Sequence, residues 1–243
     1  RAGARVRSTL SWAGDVLTVV EVPADGDFSP MLDLPVPDDC LHLWGPGEGN
    51  LYDITLELLD ASGGVLDTAA TYAGLRSVTI DGMAVKINGE RVFQRLVLDQ
   101  GQYLDGAYTA PSDAALIEDI ELSLAAGFNG ARLHEKVFEE RTLYHADRMG
   151  YMVWGEFGDW GYDSSRPPIN MVSQWLEVIG RDFNHPSIVG WCGLNEAAAE
   201  IEDEIDGLED LIRAMFLAAK TADPTRPVLD ASGYSHRMHE TDV

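Results

Sequence analysis

Basic charge is what this sequence has least of. Its 243 residues carry 17 Lys and Arg against 41 Asp and Glu, a formal net charge of −24. Nucleic acids and anionic membranes both require a positive field on their protein partner, so neither is expected to bind here. Cysteine is nearly absent. Cys40 and Cys192 stand far apart and give neither a disulfide framework nor a metal-ligand spacing. No apolar run approaches the length that spans a bilayer. No Gly-rich phosphate loop follows a candidate strand, which weakens a nucleotide-dependent α/β enzyme. No His/Glu spacing makes a metal site, and no cofactor is expected. No signal peptide opens the chain, which favours the cytoplasm; Arg1 is not a natural start, so the location stays open.

What is present is an ordinary globular composition, 45% hydrophobic and 24% charged, at a length that allows one or two domains. Residues 1–80 lack long helical periodicity. Val16–Val20 is rich in β-branched residues, and Asp53–Leu58 alternates polar with apolar as a half-buried strand does. Ser62-Gly63-Gly64 reads as a turn before a strand near Val65. This pattern suggests a small antiparallel sandwich.

From Val78 the pattern changes. Asn88-Gly89 inside 85–92 is hairpin turn chemistry. Then strands at 95–98, 130–133, 151–154, 187–192 and 228–230 alternate with helices from Ser112, at 140–149, at 171–183 and at 208–221. A β-α-β-α series argues for a parallel sheet covered by helices. By itself it does not separate a barrel from an open doubly wound sheet.

The most informative stretch is Asp182 to Glu196, DFNHPSIVGWCGLNE. Pro186 stops the preceding helix. Ser187 to Cys192 then runs as a buried strand, and Asn195-Glu196 arrive where it ends. The frame Asn184-His185-Pro186-Ser187, an apolar run, Trp191 and Asn195-Glu196 resembles the acid-catalyst signature of glycoside hydrolase family 2, the family of β-galactosidases, β-glucuronidases and β-mannosidases. Three positions depart from it: Phe183 replaces a basic residue, Gly190 an apolar one, and Cys192 a Gly or Ser. His42 to Tyr52 resembles the "LWSPxxPxLY" turn of the family's immunoglobulin-like domain. Tyr72 to Arg76 resembles its "xFGLR" exit, and Val85 to Val92 the "xLNGKPxxLRG" approach to the barrel. Asn129 to His134 resembles "NxxR..H", with one residue between Arg and His instead of two.

The resemblance implies an immunoglobulin-like β-sandwich over 1–80 and, over 81–243, an incomplete TIM barrel of about five of the eight strands. It implies a retaining exo-β-glycosidase, β-galactosidase-like, acting on a β-linked sugar. Glu196 is its general acid/base, and Asn195 hydrogen-bonds the sugar 2-hydroxyl. Barrel strands converge at their C-terminal tips. The other tip residues, Asp99, Arg132, His134 and Glu156, with Trp160 as an aromatic wall, are therefore the expected sugar ligands. Burial and nearby negative charge are expected to keep Glu196 protonated. Adjacent strand residues point to opposite faces, so Asn195 and Glu196 share one site only if the strand end is irregular. The nucleophile is expected beyond Val243, and the open edges of strands one and five are expected to invite self-association. The competing reading is a non-catalytic carbohydrate-binding or scaffold module on the same barrel.

Overall fold

The computed structural model describes residues 2–24, 26, 29–158, 170–196, 207–233 and 241–243. The chain divides into two compact units, residues 1–44 with 50–75 and residues 45–49 with 76–243.

In the first unit, β1 (Arg5–Trp12), β2 (Asp15–Pro23), β3 (Tyr52–Leu59) and β4 (Val65–Ala73) form an antiparallel sheet in the order β2-β1-β3-β4. The expected strands at 16–20 and 53–58 lie inside β2 and β3. The central strand β1, with Ser8 and Leu10 buried on one face, escaped the sequence reading. The Tyr52 hydroxyl accepts from His42 N at 2.6 Å and donates to Cys40 O at 2.8 Å. The Trp12 ring stacks on His42 at 4.0 Å. These contacts lay the extended 40–44 segment over one face of the sheet, where Leu43 bridges Leu75. The unit is therefore sandwich-like, but its second layer among the described residues is this segment rather than a full sheet.

The second unit begins with a three-stranded antiparallel sheet of β5 (Val78–Asp81), β6 (Ala84–Ile87) and β7 (Glu90–Arg91). Asn88 and Gly89 join β6 to β7 with φ of 54° and 82°, the left-handed pair that a two-residue hairpin turn needs. Five parallel strands follow: β8 (Leu96–Asp99), β9 (Gly130–Leu133), β10 (Met152–Glu156), β11 (Ile188–Cys192) and β12 (Val228–Leu229). Each strand lies beside its predecessor, in the order β12-β11-β10-β9-β8. A doubly wound sheet reverses its order at a switch point. No reversal occurs here, so the arrangement is that of a barrel wall.

Between the strands run α1 (Asp113–Ala125), α2 (Glu140–Met149), α3 (Met171–Asp182) and α4 (Leu208–Ala222). The Ser112 side chain caps α1 by accepting from Ala115 N, and Gly150 ends α2 at φ 62°. One face of the strands meets these helices, with a register irregularity in β11 between Ile188 and Gly190. Ala131, Leu133, Val153, Ile188, Trp191 and Val228 pack with Trp175, Ile179, Ile212 and Met215 from α3 and α4. Each of the larger side chains contributes about 1.5–3 kcal/mol by leaving water.

The turn into β11 is held by buried charge. Arg226 donates to the carbonyls of Phe183, His185 and Ile188 at 2.8–2.9 Å and pairs with Asp223. Arg76 donates to the carbonyls of Pro186 and Ile188 at 3.0 and 2.6 Å. Asp147 on α2 accepts from His185 Nδ1 at 2.6 Å and Ser187 N at 2.9 Å. Burial, reinforced by the neighbouring Arg226, pushes the Arg76 guanidinium down to about 9. The Asn-His-Pro-Ser run is thus the clamp that fixes where β11 starts.

Two departures from the family signature find their reason here. The Phe183 ring lies 5.4 Å from the Arg226 guanidinium, a cation–π contact that a basic residue would repel. At Gly190 an added Cβ would stand 2.6 Å from the Trp154 indole, which lies over the strand on the inner face. On the other face, Gly155 makes the same room for Trp191.

The edge of β12 is not bare. Asp242 N donates to Val228 O at 3.1 Å and its carboxylate accepts from Val228 N at 2.8 Å, while Asp230 N donates to Thr241 Oγ1. This corrects the expectation of an open fifth strand: an aspartate beside the strand satisfies both backbone groups of Val228. β8 has β9 as its neighbour in the sheet. Among the described residues no helix is long and apolar enough to cross a membrane.

Replacing Arg226 with Met should leave the buried Asp223 carboxylate without its ion-pair partner and the carbonyls of Phe183 and His185 without their side-chain donor. The expected loss is about 3–5 kcal/mol, as for breaking one side of a buried pair. Urea unfolding checks it; a loss below about 1 kcal/mol would remove the clamp from the account.

Candidate active site

Strand register decides which side chains meet. Leu98 pairs with Arg132 and Asp99 with Leu133. Trp154 pairs with both Arg132 and Gly190, and Glu156 with Cys192. Arg132, Trp154 and Glu156 therefore share the inner face, away from the helices.

Arg132 is the hub of that face. Its Nε and Nη2 donate to Glu156 Oε2 and Oε1 at 2.7 and 3.1 Å, a bidentate pair with a carboxylate whose side chain is 0% exposed. Nη2 also donates to Asn195 Oδ1 and to His134 Nδ1, the latter at 2.9 Å. Burial disfavours the guanidinium charge, yet Glu156 outweighs it and Arg132 is pushed up.

Asn195 is locked on both ends. Its Oδ1 also accepts from Ser232 Oγ at 2.9 Å, and its Nδ2 donates to Glu135 Oε1 at 2.6 Å. Two donors on the oxygen fix the amide orientation. β11 ends as regular strand at Cys192, but Asn195 still bridges Ser232, and Glu196 N donates to Ser232 O at 2.8 Å. Glu196 itself has φ 44°. That left-handed residue is the irregularity that the adjacency of Asn195 and Glu196 requires, since a regular strand would send them to opposite faces. Gly233 leaves room for Glu196: a Cβ there would stand 2.8 Å from Glu196 Cγ.

Two placements differ from the sequence reading. Glu196 is exposed, so the burial expected to hold it protonated is not supplied. Asp99 does not join the cluster, because its register puts it with Leu133 on the helix side. It lines a small cavity of about 30 Å³ with Tyr103, Leu116, Asp119 and Tyr151, and accepts from Gly101 N at 2.8 Å. Trp160, the expected aromatic wall, lies outside the described residues. Among the described residues no group of three His, Cys, Asp or Glu is arranged to hold a metal ion.

The sequence reading missed Glu135, Lys136, Ser232 and Gly233. Glu135 has φ 50°, its N donates to Glu156 Oε1 at 2.9 Å, and its side chain is 11% exposed. With Gln100, Gln102, Tyr108, His134 and Lys136 it lines a cavity of about 330 Å³ beside the cluster, within the range of ligand pockets. The available signal was a charged pair, Glu135-Lys136, directly after a strand tip. Nothing in the sequence showed that the backbone turns left-handed there.

The arrangement joins an oriented amide, a buried Arg–carboxylate pair, an imidazole and an exposed carboxylate at one end of a parallel sheet, next to a polar cavity. The sequence model of the glycosyl hydrolases family 2 TIM barrel domain matches residues 109–241, and that of glycosyl hydrolases family 2 matches residues 9–76. The chain belongs to glycosyl hydrolase family 2. Four of its five parallel strands, β9 to β12, lie within the residues that the family's barrel-domain model matches.

A β-glucuronidase of Paenibacillus borealis is 29% identical over 203 residues, covering 77% of this chain and 33% of the relative. Beta-galactosidase 2 of Enterobacter cloacae is 28% identical over 220 residues, covering 84% and 20%. The chain thus spans a third or less of these relatives. The crystal structure of the FMN-binding β-glucuronidase from Facaelibacterium prausnitzii L2-6 superposes with a TM-score of 0.81 at 23% identity, over 99% of this chain and 37% of that one. That likeness shows the fold.

Burial pushes the Asp99 carboxyl up from its ordinary value, against the opposing Gly101 N–H. A carboxyl raised in the folded state binds its proton more readily there than when unfolded, so stability falls as pH rises through its folded pKa. Asp99→Asn should therefore melt at or above the parent at pH 7, with the difference shrinking as acid protonates the parent's carboxyl. Thermal melts across that range check it; a large loss at neutral pH would return Asp99 to an essential ionic role.

Proposed function

We propose that these residues carry the acid/base half of a retaining exo-β-glycosidase site, β-galactosidase-like in substrate. The observation that carries this reading is the doubly anchored Asn195 next to Glu196 on a left-handed strand tip. Glycoside cleavage needs a carboxylic acid to protonate the leaving oxygen, and the retaining route then uses the same group to deprotonate water. Glu196 takes that role. Asn195 offers its amide to the sugar 2-hydroxyl, an interaction that strengthens in the oxocarbenium-like transition state. Its orientation is set before substrate arrives, so no reorganisation is needed at the moment of reaction.

The second carboxylate of a retaining pair lies about 5–5.5 Å from the first. Glu156 is consumed by Arg132 and Glu135 N, and Glu135 by Asn195. We assign the nucleophile to neither, and place it outside these 243 residues. Kinship with named β-galactosidases and β-glucuronidases supports the chemistry.

Glu196→Gln in the full-length protein should lower turnover by several orders of magnitude for alkyl glycosides. Glycosylation by activated aryl glycosides, which need little acid assistance, should suffer much less. The 243-residue chain alone should show no turnover. Equal, small losses on both substrate types, or hydrolysis by the isolated chain, would sink the assignment.

A further inference from the structure

The loop that joins β8 to α1 carries Gln100, Gln102 and Tyr108, three of the residues that line the cavity of about 330 Å³. Its internal backbone bonds, Tyr103 N to Ala107 O at 2.7 Å and Thr109 N to Gly106 O at 2.9 Å, close the tip on itself and do not tie it to the barrel. Leu104 at the tip is fully exposed, and Ala107 has φ 52°, a left-handed conformation that a Cβ disfavours. On the helix side the Tyr103 hydroxyl bonds Asp119. On the cavity side the loop is held by Lys136, from the segment between β9 and α2.

Lys136 Nζ donates to Gly101 O at 3.0 Å and to Tyr108 O at 2.6 Å, so one ammonium grips the loop near both ends. The ammonium is itself seated. It lies 4.7 Å from the centre of the buried Phe138 ring and 3.6 Å from Glu139 Oε2. Glu139 Oε1 in turn accepts from Ala110 N at 3.2 Å, two residues beyond Tyr108. The fit is close: a Cβ on Gly101 would stand 2.7 Å from Nζ and 2.9 Å from the Phe138 ring, and Gly101 has φ 57°. A surface lysine keeps its ammonium in water. The Lys136 side chain is only 13% exposed, and two of its three protons are occupied by carbonyls of one loop.

We infer that Lys136 is a positioning residue for substrate binding: by stapling residues 101 and 108 it fixes the wall of Gln100, Gln102 and Tyr108 before a sugar arrives. Amides and a phenol are groups that hydrogen-bond sugar hydroxyls, and Gln102 Nε2 already reaches the Tyr108 hydroxyl at 3.3 Å across the loop. A loose wall would have to be ordered by the substrate, which weakens binding. Lys136 therefore acts through the loop and not on the bond that breaks. The inference rests on the glycosidase reading above.

The test compares the full-length protein with its Lys136→Met variant, on whichever of 4-nitrophenyl β-D-galactopyranoside and 4-nitrophenyl β-D-glucuronide the parent turns over faster. Met keeps an apolar stem against Phe138 and removes the ammonium. KM should rise about tenfold or more while kcat stays within about threefold, as when binding common to ground and transition states is lost. In a Gln100→Ala/Gln102→Ala background the same substitution should raise KM less than about threefold, because the side chains it positions are gone. Hydrogen exchange over residues 102–110 should quicken about tenfold or more and stay unchanged in β9 to β12. Thermal melts establish that the variants fold. Gly101→Ala, which displaces the ammonium from the loop side, should shift KM the same way and carries the test if Lys136→Met does not fold. An unchanged KM, a loss confined to kcat, or unchanged exchange in the loop overturns the positioning role. An equal rise in KM in the doubly substituted background means that Lys136 meets the sugar itself, and overturns it too. No turnover of either glycoside by the parent overturns the glycosidase reading and the positioning role with it.

Discussion

One guanidinium sets the geometry of the inner face. Arg132 touches Glu156, His134 and Asn195, which come from three different loops or strands. Without its charge, Glu156 would be a buried carboxylate with a single backbone donor, which folding does not tolerate. Without its donors, Asn195 would lose one of the two groups that fix its amide. The pairing of β9 with β10 brings Arg132 alongside Trp154, two residues before Glu156, so sheet register and site geometry are one constraint.

A second ionic cluster stands behind the same strand. Arg226 and Arg76 gather the carbonyls of the turn before β11, and Asp147 gathers its donors. The start of the strand is thereby fixed on one side of the sheet and its tip on the other. Between them the indoles of Trp154 and Trp191 lie over Gly190 and Gly155 on opposite faces. A site that must hold an amide and a carboxyl within hydrogen-bonding tolerance of a sugar needs such rigid support.

Much of this was legible in the sequence because it is local. The Asn-His-Pro-Ser stop, the buried run and the Asn-Glu tip announce themselves within fifteen consecutive residues. Asn88-Gly89 announces a hairpin by its φ preference alone. What was not legible is long-range. Whether Asp99 or Leu98 faces the site depends on pairing with β9, and a shift of one residue reverses the answer. Glu135 and Glu196 take left-handed conformations that no residue type advertises except Gly and Asn. Phe183 and Gly190 looked like departures until their partners, Arg226 and Trp154, stood beside them.

The account's central claim is that the Arg132 network orients Asn195 and Glu196 for a sugar before one binds. A crystal structure of the full-length protein with a trapped 2-deoxy-2-fluoro glycosyl intermediate tests it most directly. The account predicts Asn195 Nδ2 within hydrogen-bonding distance of the 2-substituent and the Glu196 carboxyl beside the anomeric carbon. Arg132 should still be bidentate to Glu156. A sugar seated away from Asn195, or Arg132 released from Glu156 to hold it, would contradict the account.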